Sequence, residues 1–103
     1  MATLDDLWGG QLTSVYLDPI GHKCCLEVKV VDGKINSYRI ECEAVADLRF
    51  YNAIPLPWSY ADVTEVHMNV DGHSGHNVLE FILWSEDAGI VIRCASVQVQ
   101  EAS

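Results

Sequence analysis

Cys24-Cys25-Leu26-Glu27-Val28-Lys29-Val30-Val31-Asp32-Gly33 reads apolar and polar by turns. Cys24, Leu26, Val28 and Val30 fall on one beat, and Cys25, Glu27 and Lys29 on the other. Successive side chains of an extended strand point to opposite faces, so a period of two sends one row into a core and the other into water. Asp32-Gly33 then supplies a favoured two-residue hairpin turn, and the segments on either side of it are expected to pair antiparallel.

The same period runs outward in both directions. Upstream, residues 12–18 read as a strand with Val15 and Leu17 on one face, stopped by the turn signal Asp18-Pro19-Ile20-Gly21. Downstream, Tyr38, Ile40, Cys42, Ala44, Ala46, Leu48 and Phe50 keep one parity over a stretch too long for a strand of about five or six residues, so a bend or break is expected near Ala44 to Ala46. Pro55 and Pro57 make the next segment a connector or an edge. Ser59 could cap a short helical turn before a strand with Val66, Met68 and Val70 inward. Leu79, Phe81 and Leu83 form a further inward row, while Val78, Ile82 and Trp84 surround Glu80 on the opposite face. Residues 85–89 read as a hairpin loop. Ile90, Ile92 and Cys94 disagree in parity with Val97 and Val99, which calls for a bulge or break near Ala95 and Ser96. Residues 2–8, with Leu4, Leu7 and Trp8 at helical spacing, are the one helical candidate. The expectation is an all-β, mainly antiparallel fold, a meander sandwich or flattened barrel of roughly seven or eight short strands with at most one short helix.

Residues 1–103 read as a single globular domain, with loose ends at residues 1–2 and 101–103. Apolar residues make up 50% of the chain, enough for a core that needs neither metal nor disulfide. The start of the chain has no basic stretch or continuous apolar run of the signal-peptide kind, and the expected location is the cytoplasm. In that compartment Cys24, Cys25, Cys42 and Cys94 are expected as reduced thiols.

Fifteen Asp and Glu face six Lys and Arg, for a net charge of -9. The acids are not gathered in a tail. Glu27, Glu41, Glu43, Glu65 and Glu80 occupy the polar beats, so a sheet would display them on its outward face. Such a surface favours a basic protein partner and disfavours nucleic acid or an anionic membrane. Trp and Tyr are common interface anchors. The partner surface expected from charge and aromatics together is Glu41, Glu43, Glu80, Trp84, Glu86 and Asp87.

Candidate chemistry is thin. His73 and His76 share a polar loop near His67 and could approach a metal, but their spacing matches no closed metal site, and no cofactor is expected. Ser74 lies between two histidines in a loop that reads as mobile. Glu41 and Glu43, two apart on a strand, would stand about 7 Å from one another, a separation that solvated strands carry routinely. Gly9-Gly10 lacks the lysine and helix of a phosphate loop. No catalytic residue is assigned.

The order LWGGQLTSVYLD, EAVADLRFYN, PWSYADVTEVH and LEFILWSEDAGIVIRCASVQV, over residues 7–99, resembles small acidic β-rich bacterial proteins of the immunity type, encoded beside polymorphic toxins. The resemblance implies a non-enzymatic protein that binds a toxin domain tightly, its acids masking a basic active site. It carries over no functional residue one by one. Two alternatives stand beside it: a small-ligand carrier with its pocket in a barrel interior or sandwich mouth, favoured by an unfilled pocket at Tyr38, Phe50 and Phe81, and a metal-dependent enzyme using His67, His73 and His76.

Overall fold

A computed structural model describes residues 3–102. Eight antiparallel strands follow one another: β1 (Gln11–Asp18), β2 (Lys23–Asp32), β3 (Lys34–Glu43), β4 (Asp47–Asn52), β5 (Ala61–Val70), β6 (Asn77–Leu83), β7 (Ala88–Cys94) and β8 (Ser96–Ala102). Their spatial order is β4-β7-β6-β5-β1-β2-β3-β8. Only two residue pairs join β1 to β5, Gln11 with Asp62 and Leu12 with Ala61. This narrow link divides the strands into a first layer, β1-β2-β3-β8, and a second layer, β4-β7-β6-β5.

The opening sequence stretch forms the strand and antiparallel hairpin read from it, but the turn holds one residue and not two. Cys24, Leu26 and Val28 are buried, and β2 pairs with β3 from Lys23–Glu43 to Asp32–Lys34, with Gly33 alone at the tip at φ 73°. A side chain there would meet the left-handed penalty that glycine escapes. The inner faces of the layers meet in one core. Leu26, Val28 and Ile40 come from the first layer, and Leu79, Phe81 and Ile92 from the second.

The two parity problems mark the places where the chain changes layer. β3 stops at Glu43, Ala44 takes φ 53°, and β4 begins in the second layer at Asp47. At Ala95 the chain returns from β7 to β8, held by the Ala95 N–H donating to the Glu43 carbonyl at 3.0 Å. Ile90, Ile92 and Cys94 therefore face the core from one layer, and Val97 and Val99 pack on it from the other.

Three further expectations need correction. Residues 59–63 form no helical turn, because β5 begins at Ala61. Along β5 a register shift between Val63 and Glu65 puts Ala61, Val63 and Val66 inward, and Met68 and Val70 run past the core, 46% and 68% exposed. At the chain end, Glu101 and Ala102 belong to β8, so they are not loose. Residues 1, 2 and 103 lie outside the described residues. Of the helical candidate at 2–8, the described part forms a 3-10 turn at Leu4–Leu7, in which Asp6 accepts from the Thr3 N–H at 2.8 Å and Leu7 plugs the core.

Gly9-Gly10 also finds its reason here. The Gly9 N–H donates to the Val63 carbonyl, and the Val63 N–H to the Gly10 carbonyl, each at 2.8 Å. A Cβ on Gly10 would stand 2.8 Å from Val28 Cγ1, so the pair allows backbone to lie directly on the core.

Candidate functional site: an open cleft between the layers

Past Leu12 and Ala61 the β1–β5 ladder opens. On one side, β1 carries a register shift at Thr13 and continues beside β2 alone. On the other, the chain entering β5 comes from Ile54-Pro55-Leu56-Pro57, which is not part of any strand and whose prolines have no N–H to donate to a ladder. A cleft of about 310 Å³ occupies the gap, with Thr13, Ser14 and Val15 on one wall and Trp58, Ser59 and Tyr60 on the other. Leu48, Phe50, Leu83 and Ile90 form its floor. A second groove of about 570 Å³ shares Leu48 with it and runs along Leu17, Pro19, Val45 and Ala46, where Asp18, Asp47 and His22 add the polar groups.

The side chains along the cleft explain its openness. Val15 and Leu17 stand opposite Leu26 and Cys24 and so face inward as the sequence indicates, yet they are 42% and 44% exposed because no strand covers them. Phe50, on the inward parity of β4, is 57% exposed for the same reason. An aromatic chain closes one end. Phe50 meets Trp58 edge-on at 5.8 Å, Trp58 meets Trp84 at 6.1 Å, and Trp84 meets Tyr60 at 5.7 Å. Among the described residues neither indole N–H of Trp58 or Trp84 has a hydrogen-bond partner, and both are sealed from solvent.

Trp84 reaches this cluster through an unusual turn. Trp84, Ser85 and Glu86 all take left-handed backbone, with φ of 50°, 54° and 81°. The Ser85 N–H donates to Thr64 Oγ1 at 2.9 Å and ties the turn to β5. The reversal takes Trp84 off the outward face expected from its parity with Glu80 and Ile82 and packs it on Trp58 and Tyr60.

The six residues chosen from the sequence thus fall in three places. Glu41 and Glu43 lie on the outer face of the first layer. There Glu43 stands opposite Lys23, and Glu27 pairs with Arg39 at 3.9 Å, so that face carries both signs. Glu80 lies on the outer face of the second layer between His67 and Val91. Trp84, Glu86 and Asp87 sit at the turn beside the aromatic end of the cleft. A single patch holding all six does not form.

The histidine loop is organised by Asp71. Its carboxylate accepts from the His73 N–H and the Ser74 hydroxyl, each at 3.0 Å, and from the Arg93 guanidinium. Its own N–H donates to the His76 carbonyl at 2.8 Å. The Ser74 hydroxyl thereby donates to a carboxylate and accepts from the His76 backbone N–H at 3.2 Å, and among the described residues it bonds no histidine ring. His67 lies elsewhere, 3.0 Å from Glu65 and edge-on to Trp8 at 5.7 Å. Among the described residues no three His, Cys, Asp or Glu side chains are grouped to hold a metal.

All four cysteines are free thiols. Cys24 and Cys42 are direct cross-strand partners, and Cys94 is buried in the same core from the other layer. Burial pushes Cys24 up to about 11 and raises Cys42 and Cys94. Thiols held so firmly protonated make poor nucleophiles.

The cleft was not found from the sequence. Its pocket shares Phe50 with the carrier expectation, but Tyr38 and Phe81 are core residues, 8% and 0% exposed. The available signal was Pro55 and Pro57 ahead of β5, which forecast a strand unable to complete its ladder. Comparison with protein-family models and with curated proteins finds no match.

Proposed function

We propose that this protein is a non-enzymatic binding module for a basic protein, working by occlusion in the manner of an immunity protein. One observation carries the reading. Arg39, Arg49 and Arg93 are each paired with an acid of the protein itself, Glu27, Asp47 and Asp71. Glu65 is bonded to His67, and among the described residues the other eleven of the fifteen acids form no ion pair. A rigid sheet that neutralises its arginines internally and leaves its acids outward attracts positive charge and speeds association with it.

The contact surface is the cleft end of the molecule. Trp84, Glu86 and Asp87 lie there, beside the half-exposed Phe50 and Tyr60. Aromatic anchors next to unpaired acids combine the two ingredients of a strong contact, apolar burial and steering. Glu41, Glu43 and Glu80 act at longer range, adding field from the outer faces. Free, strongly protonated thiols suit a reducing cytoplasm, where such a module would work.

The test is co-purification with the product of the adjoining reading frame, followed by association rates at two salt concentrations. The expected result is a one-to-one complex whose association slows by about tenfold or more between low and high salt. Absence of a complex at micromolar concentration in low salt contradicts the proposal.

The cleft favours a second reading, a carrier of small apolar molecules. Its volume lies at the lower end of the roughly 300–1,000 Å³ common to ligand pockets, and its lining is almost wholly apolar. Its half-exposed walls count against it, since such sites bury about 70–90% of their ligand.

A further inference from the structure

We infer that the cleft takes an extended segment of the partner, which adds as a strand to the open edge of β1; the inference deepens the binding reading above and rests on it. The β1–β5 ladder ends after Leu12 and Ala61, and from Thr13 to Asp18 the strand is paired only to β2. Its other edge presents backbone N–H and C=O groups with no strand beside them, a template for β-addition. The space where β5 would have continued is the cleft itself. β4, across the cleft, likewise pairs on one side only, with β7.

The side chains specify the occupant. Val15 and Leu17 from β1, with Leu48 and Phe50 from β4, offer an apolar row at strand spacing. Neither groove is lined by a lysine or arginine, while Asp47 is already held by Arg49 and Asp18 stands opposite Lys23, so the attraction for a basic segment comes from the protein's net charge of -9. An incoming strand therefore places alternate apolar side chains beside Val15 and Leu17, and its intervening side chains, turned to the outer face, carry the positive charge. A small apolar ligand would satisfy the side chains and leave the β1 edge bare. An extended peptide satisfies both.

The probe is a capped peptide of roughly seven alternating valines and lysines, compared with one in which glutamate replaces lysine. The readout is amide hydrogen exchange of the whole protein, resolved by residue. Saturating valine–lysine peptide is expected to slow exchange at least about tenfold at alternate amides within residues 13–18, and the glutamate peptide is expected to leave them unchanged. Val15→Lys, at an already half-exposed position, should abolish the protection with the fold intact. Phe50→Lys should do the same from the opposite wall.

No slowing with peptide at about 1 mM overturns the strand addition. So does quenching of tryptophan fluorescence without any slowing at residues 13–18, because the cleft would then hold an apolar group without a strand. Both outcomes leave standing a salt-dependent complex with a basic protein, so failure here is distinct from failure of the binding reading.

Discussion

Glu86 sits at φ 81° at the end of three consecutive left-handed residues, none of them glycine. That conformation costs a residue with a Cβ roughly 1–2 kcal/mol, and strain of this kind gathers where a structure must aim a side chain. Here it aims Trp84 at Trp58 and Tyr60. Glu86 is exposed, so Glu86→Gly relieves strain without opening a cavity. After the entropy that glycine adds to the unfolded chain, a net gain of about 0.5 kcal/mol is expected, read as a rise of a few degrees in Tm. The buried thiols give a second residue-scale test. Cys24 holds its proton from the ordinary 9.0 up to about 11. Between those values the unfolded chain has lost a proton that the folded chain keeps, so stability is full below pH 9 and falls as pH rises toward 11. The loss is at most about 1.4 kcal/mol per pH unit for one thiol. Denaturant midpoints across pH 8–11 should fall in the wild type and fall less in Cys24→Ala.

The strands differ in how well they are covered, and substitutions should report it. Phe81 on β6 is fully buried, and Phe81→Ala is expected to cost about 3–5 kcal/mol. Phe50 on β4 is 57% exposed, and Phe50→Ala should cost only about 1 kcal/mol in the same denaturant titration. Equal costs would mean that the cleft is shut in solution. On the outer face of β3, Glu41→Gln with Glu43→Gln should shift stability by no more than about 0.5 kcal/mol per site. β2, β3, β6 and β7 were legible in the sequence because their period of two is unbroken from turn to turn. β5 keeps the expected parity at Met68 and Val70, opposite Leu79 and Asn77, but there the strand runs past the core, and a period of two cannot reveal where a core ends. Trp84 was misplaced because three left-handed residues reverse the face and nothing in Trp-Ser-Glu announces them.

At the scale of the whole molecule, the chain is a sheet folded on itself and left open at one corner. The charge was legible from composition alone, because it needs no geometry. The cleft was not, because it depends on where a ladder stops, and that is set by proline-bounded chain far from β1 in sequence. The account rests centrally on the β1 edge beyond Leu12 being unpaired. Residue-resolved amide exchange of the free protein tests this most directly. In β1, amides that point toward β2 should exchange slowly, and those at residues 13–18 that point toward the cleft should exchange at least about a hundredfold faster. Uniform slow exchange along both edges of β1 would show a continued ladder with β5, with no open edge and no cleft for a partner strand to enter.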